Sequence, residues 1–344
     1  MVFTNLVDFC KKLPKIELHA HLNGSLSPAT MRELVELKKD QKPELAEFKI
    51  PTSLTIQNCG YAKLQDSFFP LFRFIYQLTD DEESVRIATR NIIREFAQDG
   101  VKYLELRTTP RCNAETGMTK TSYLEAVVSV LEENRTDDII VKLILSIDRR
   151  NTLEEAQETV DLALAFCSRG VVGIDLCGDV EKGSFAELKP AFIRAQENQF
   201  PITLHFNEIE QNMVEGPTLL SINPNRLGHA TLLDDVCRKT IYAKSIPIEI
   251  CMTSNVLCKT VKTFEDHHIK DLLNDNHPFI LCTDDKGVFF SESSNEYRLA
   301  GETFNLNYED LYTISFRSID AIFGSDDLKK HLQSKWAEWK NQNL

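Results

Sequence analysis

Hydrophobic and polar positions along the chain repeat one scheme. A short, β-branched apolar run ends in polar residues, and a stretch with apolar positions at helical spacing follows it. The runs are IELHAHL (16–22), VKYLELRTTP (101–110), VKLILSID (141–148), VVGIDLCGD (171–179), PITLHFNE (201–208), NRLGHAT (225–231), IPIEICMTSN (246–255) and PFILCTDDKG (278–287). Between them lie segments such as EESVRIATRNIIREFAQDG and TLEEAQETVDLALAFCSRG, which close on Gly100 and Gly170 as helix C-caps do.

Eight strands alternating with helices predict an α/β fold, the (β/α)8 TIM barrel, whose chemistry sits at the C-terminal strand ends. The segment 27–85 between the first two strands is too long for one crossover. Its apolar helical stretches near 28–39 and 61–78 predict a helical insertion over the barrel mouth, a lid. The tail, 296–344, with Trp336 and Trp339, predicts extra C-terminal helices packed outside the barrel. No Gly/Ser linker or low-complexity tract divides the sequence, so residues 1–344 read as a single domain with 27–85 as a part of it.

Composition narrows the function classes. The 344 residues carry 39 Lys plus Arg against 52 Asp plus Glu, a formal charge of -13, which disfavours nucleic acid or an anionic membrane as partner. Any anionic ligand needs a local basic cluster. The nine cysteines lack the paired spacing of a zinc ribbon or redox pair, and several sit in apolar runs, as reduced buried thiols do. The N-terminal stretch is not a secretory signal, and no apolar run approaches about 18 residues. The expectation is a soluble protein of the cytosol, a monomer by default because no heptads or exposed apolar stripe argue for an assembly.

The candidate chemistry begins in KIELHAHLNGS. Strand residues i and i+2 face one side, so His19 and His21 project together, and two neutral imidazoles side by side can begin a divalent metal site. Alone, the pair fits a hydrogen-bonded core pair equally well. Its weight comes from His205 and Glu208 at the end of the fifth run, His229 at the sixth, and Asp284 and Asp285 at the eighth. Four of the eight histidines stand at strand ends, whereas His267, His268, His277 and His331 do not. A set of His19, His21, His205 and Asp284 suits one Zn2+ per chain with a position left open for water, which such an ion acidifies to a pKa of roughly 7. A single ion is favoured, with Asp179 of DLCGD the one candidate for a second.

Taken together, HAHLNGS, DLCGD, LHFNE, RLGHA and CTDDKG resemble the adenosine deaminase family from about residue 13 to 325. The resemblance implies zinc ligands at His19, His21, His205 and Asp284. It implies that Glu208 protonates purine N1, that His229 orients and deprotonates the water, that Asp285 partners N7, and that the Gly178 N–H reaches N3. Since N7 only accepts, Asp285 must hold a proton, so a raised pKa is expected there.

Finer features resemble one branch of that family, the adenosine deaminase-like N6-methyl-AMP deaminases. Asn23 stands where nucleoside-deaminating members carry an aspartate, and a neutral amide does not repel a 5′-phosphate. RTTPR offers Thr108, Thr109, Pro110 and Arg111 as a phosphate grip, and Asp148 could hold a ribose hydroxyl. Arg107 is expected to pair with Glu105 on its own strand face. Within the resemblance the chain departs at Phe206, Asn207 and Ala230, and Tyr76 stands where the family has a histidine near the substrate. The implied activity is zinc-dependent hydrolytic deamination of N6-methyl-AMP and related N6-substituted purine nucleoside monophosphates to IMP plus the amine. The alternatives are adenosine or deoxyadenosine deamination, or a non-catalytic nucleotide-binding barrel.

Overall fold

The computed structural model describes residues 3–53, 61–133 and 138–344, with backbone alone over 61–69. Eight strands form one parallel sheet in chain order. They are β1 (Lys15–His21), β2 (Val101–Thr108), β3 (Ile140–Asp148), β4 (Val171–Cys177), β5 (Ile202–Phe206), β6 (Arg226–His229), β7 (Ile248–Ile250) and β8 (Phe279–Leu281). The ring closes between first and last strands through a single bridge, Ala20 to Asp284, in which the Asp284 N–H donates to His19 O at 2.7 Å and the His21 N–H to Asp284 O at 2.9 Å. Beside it the strands do not pair, and Glu17 fills the gap by accepting from the backbone N–H groups of His19 (2.9 Å) and Thr283 (3.1 Å).

The apolar runs mark every strand, but the last two outrun theirs. The end of IPIEICMTSN is the buried helix Met252–Leu257, and the end of PFILCTDDKG is the helix Lys286–Phe289. A short apolar run carries no period that separates a strand from a buried helical turn. The outer helices begin and end as their sequences dictate. Asp81 caps Glu82–Gln98, Thr152 and Glu155 form a capping box on Leu153–Phe166, and Gly100 and Gly170 take φ of +83° and +116° beyond helix ends.

The insertion holds helices Pro28–Lys38 and Tyr61–Leu78, while residues 54–60 of the expected lid lie outside the described residues. The tail forms helices Ser293–Phe304, Tyr308–Arg317 and Asp326–Asn343, with Trp336 fully buried and donating from its indole N–H to Ser315 Oγ at 2.9 Å. No described helix is long and apolar enough to cross a membrane, and the eight described cysteines are free.

Barrel interiors of this kind are usually filled by branched apolar side chains. Here the lumen is ionic. Arg107, Arg226, Glu105, Asp175 and Glu249 are all buried within it. Arg107 pairs with Asp175 (3.2 Å) and Glu249 (2.8 Å), while Arg226 pairs with Glu249 (2.7 Å) and Glu105 (2.6 Å). The expected Arg107–Glu105 pair is therefore not made. Residues two apart on one strand sit at different heights in a sheared barrel, so partners of like height come from other strands. At the barrel floor the Phe323 ring packs 3.5 Å from the Arg226 guanidinium, and the Phe323 N–H donates to Glu105 at 2.6 Å.

Candidate active site

The C-terminal strand ends open into a cavity of about 580 Å3, within the range of small-molecule sites. Ligand atoms of His19, His21, His205 and Asp284 lie within 4.8 Å of one another at its base. Three of the four are held from behind. The His19 Nδ1 faces Glu249 at 2.7 Å, the His205 Nδ1 faces Asp175 at 3.1 Å, and Ser254 Oγ donates to Asp284 Oδ2 at 2.6 Å. A carboxylate behind an imidazole takes the Nδ1 proton and frees Nε2 as a lone pair, the form a metal needs.

The front of the cluster is deficient in donors. His19 Nε2 is buried with no hydrogen-bond partner, and the Nε2 atoms of His21 and His205 face each other at 3.2 Å. Burial pushes His21 down to about 3, against the pull of Asp284, so its ring is neutral. Burial would raise Asp284, but His19 and His229 beside it hold the carboxyl well below the usual range. Three imidazole nitrogens and a carboxylate converging on one point fit a divalent cation.

Around this base stand the acids. Burial raises the Glu208 carboxyl, and its Oε2 lies 3.7 Å from His229 Nε2. Burial, then the neighbouring Asp284, pushes Asp285 well above the carboxylate range, and its Oδ1 has no hydrogen-bond partner. Gly24 makes room for that carboxyl, since a Cβ there would fall 1.6 Å from Asp285 Oδ1. Gly178, at φ +106°, would drive a Cβ to 2.6 Å from the Asp148 carboxylate. Asn207, His229, Ala230 and Asp284 all take left-handed φ between +46° and +61°, a cost of about 1 kcal/mol or more each that clusters at functional turns.

The far side of the cavity is cationic. Arg111 donates to the carbonyls of Tyr76 and Thr79 and to Thr79 Oγ1 (2.5 Å), lies 4.9 Å from the Tyr76 ring centre, and keeps its Nε unpartnered. Thr79 Oγ1 in turn reaches Asn23 Oδ1 at 3.4 Å. Asp148 is gripped by Arg150 at 2.6 and 2.8 Å, a second arginine on the lining that sequence reasoning passed over in SIDRR.

Not every expected contact faces the cavity freely. The Thr108 hydroxyl is engaged by Tyr123 OH at 2.6 Å, and Thr109 Oγ1 lies 3.6 Å from Cys177 Sγ. Pro110 is absent from the lining; its fixed φ carries the chain from β2 toward Arg111. Asp179 stands on the rim, accepting from the Glu181 N–H at 3.0 Å, away from the cluster.

Sequence reasoning also missed Glu249, Asp175 and Ser254, the supports of the cluster. The signal was there for the first two: a lone carboxylate inside IPIEIC or GIDLC cannot be buried without a charged partner.

Comparison with known proteins adds the following. The family described as adenosine deaminase matches residues 14–339. The N6-methyl-AMP deaminase of Danio rerio is 41% identical over 352 residues, covering 98% of this chain and 98% of that protein. The crystal structure of the Arabidopsis N6-mAMP deaminase superposes with a TM-score of 0.87 at 38% identity, over 96% of this chain and 99% of that one. Arabidopsis ADAL complexed with IMP gives 0.88 at 37%, over 98% of this chain and 100% of that one.

Proposed function

Because the chain belongs to the adenosine deaminase family of hydrolytic C–N deaminases, we propose that it converts N6-methyl-AMP and related N6-substituted purine monophosphates to IMP and the amine, with one zinc ion per chain. The observation that carries this reading is the convergence, at one cavity floor, of imidazole nitrogens of His19, His21 and His205 with the Asp284 carboxylate, beside Glu208 and Asp285, two carboxyls that burial raises.

His19, His21, His205 and Asp284 would hold the cation, which when bound supplies the Lewis acidity that lets water ionise near neutral pH. Attack of the water oxygen on C6 pushes electrons onto N1, and Glu208, whose carboxyl burial biases toward the acid form, is suited to deliver the proton N1 then requires. Asp285 donates its proton in a hydrogen bond to N7, which holds the ring plane. His229 faces the attacking oxygen and orients it. The C6–N6 bond then breaks, the proton removed from the water leaves with the amine, the new hydroxyl returns a proton to Glu208, and N1–H with C6=O remains as IMP.

Selection for a nucleotide rests on the other end. Asn23, Thr109 and Arg111 line the cavity with a neutral amide, a hydroxyl and a guanidinium, and Thr79 braces Asn23 and Arg111 from behind; such groups suit the dianion of a 5′-phosphate. The Asp148–Arg150 pair also lines the cavity and would offer a carboxylate to a ribose hydroxyl. Tyr76 and Phe72 of the insertion roof the site. The test is amine release from adenosine, AMP and N6-methyl-AMP by the zinc-loaded protein. Fastest turnover is expected for N6-methyl-AMP, and a preference for adenosine would overturn the reading.

A further inference from the structure

Two of the histidines that stand at no strand end, His267 and His268, pack together with rings 4.5 Å apart, His268 reaching the turn that carries His229 and His267 reaching Asn255. His268 Nε2 lies 2.7 Å from the His229 carbonyl, an acceptor, and so donates to it and fixes the left-handed turn. His267 is tied to the His229 side chain through Asn255, and each link in that tie has a defined direction.

The direction starts at a backbone N–H, which can only donate. The Ile269 N–H gives its hydrogen to His267 Nδ1 at 3.2 Å, so Nδ1 is a lone pair and the neutral ring carries its proton on Nε2. That proton goes to Asn255 Oδ1, 3.2 Å away. The Asn255 amide is thereby oriented with Nδ2 toward His229 Nδ1, at 3.1 Å. A second bond agrees: Thr260 spends its only hydroxyl proton on the Asn255 carbonyl at 3.2 Å, so its oxygen can only accept from Nδ2, at 3.3 Å. His229 Nδ1 faces an N–H donor and must itself be a lone pair.

We infer that Asn255, oriented by His267, fixes His229 as the Nε2–H tautomer, so that His229 donates a hydrogen bond to the attacking oxygen and a carboxylate, not His229, takes the proton from the water. His229 Nε2 points where such a donor would act, 3.7 Å from Glu208 Oε2 and 3.9 Å from Asp284 Oδ2; Asp284 is committed to the cation, whereas Glu208, once it has given its proton to N1, can take the proton of the water and pass it to the leaving amine. This revises the deprotonating role that the family resemblance implies for His229. Asn255 and His267 are positioning residues: they touch neither substrate nor cation and act through one imidazole. The inference rests on the deaminase reading for what the donor does, though not for where the proton sits.

Nitrogen NMR of the zinc-loaded protein, with the His229 ring signals assigned by comparison with His229→Gln, reads the tautomer directly. Over roughly pH 6–8 the expected spectrum has a bare Nδ1 and a protonated Nε2. A proton on Nδ1, alone or with one on Nε2, would overturn the inference, and this arm needs no variant of the network to fold. Asn255→Asp replaces the donor by an acceptor and should move a proton onto Nδ1, lowering kcat by about 100-fold or more with KM changed far less. His267→Gln, which still donates to Asn255 Oδ1, should keep the wild-type ring signals, whereas His267→Leu should lose them. Unchanged kcat in Asn255→Asp with its ring signals inverted would sink the role assigned to the donor. The expected spectrum in a protein that turns over no purine would leave the tautomer standing and remove the deaminase reading instead.

Discussion

Replacing Glu249 by glutamine isolates what the ionic lumen does for the cation site. One carboxylate accepts four hydrogen bonds: His19 Nδ1 (2.7 Å) and Arg107 Nη2 (2.8 Å) at Oε2, and Arg226 Nε (2.7 Å) and Thr203 Oγ1 (2.9 Å) at Oε1. An amide offers a single acceptor oxygen, so two of these donors lose their partner and meet an N–H2 group instead. Breaking one side of a buried ion pair costs about 3–5 kcal/mol. With an unfolding entropy near 2.1 cal/mol/K per residue over a chain of this length, that is a fall in Tm of roughly 4–7 °C.

The functional effect follows the orientation of the new amide. If its nitrogen faces His19, the ring must turn its proton to Nε2, which removes one ligand lone pair; if its oxygen does, the imidazole loses the basicity a carboxylate lends it. A change behind a ligating histidine lowers metal affinity about 10–100-fold. Calorimetric unfolding with and without zinc, together with competition titration against a chelator, measures both. A Glu249→Gln protein that keeps wild-type zinc affinity and Tm would refute the argument that this carboxylate sets the His19 tautomer.

Other outcomes follow from the same site and its surroundings. Arg111→Ala should lower kcat/KM for N6-methyl-AMP by about 10–100-fold, mostly through KM, and leave adenosine nearly unaffected, because only the nucleotide loses a charge-assisted bond; equal losses on both substrates would remove Arg111 from the phosphate. Chelation should abolish turnover and lower Tm, with both restored by one equivalent of zinc per chain, read by elemental analysis and a thermal scan. Burial pushes the Lys15 ammonium down to about 8, with Asp99 opposing. Between about pH 8 and the unfolded value near 10.4 the unfolded chain therefore binds more protons, and stability from this group rises with pH by up to roughly 3 kcal/mol. Lys15→Met should flatten that rise in denaturant titrations at pH 8 and 10, and an unchanged slope would contradict the burial argument.

What the sequence discloses and what it hides divide along a physical line. HAHL, LHFNE and CTDD are legible because strand alternation and the C-terminal-edge rule are local: they say which side chains share a face and an end before any tertiary contact is known. The partner of Arg107 is not legible, since height in a sheared barrel depends on every strand at once. Glu105 looked near in sequence, but Asp175 and Glu249 are level with the guanidinium. Asn255 and His267 were invisible for another reason. Their relevance lies in hydrogen-bond direction along a path that crosses two helical turns and a strand end, and no spacing in the chain encodes that. Gly24 and Gly178 sit in motifs that drew notice, yet the collisions that require them appear only in three dimensions.

Among the described residues, the backbone bridge that sews the ring of strands shut is Ala20 to Asp284, with His19 and His21 on either side of the stitch and Asp284 in it. Any ion these three share is a clasp across the two ends of the sheet. Stripping the ion should let the first and last staves part before the rest of the cask, and amide exchange over residues 16–21 and 279–284 should quicken while β3 and β4 stay silent. Reactivity and closure are thus one knot in this barrel, so drift at these ligand positions unties the vessel as well as its chemistry.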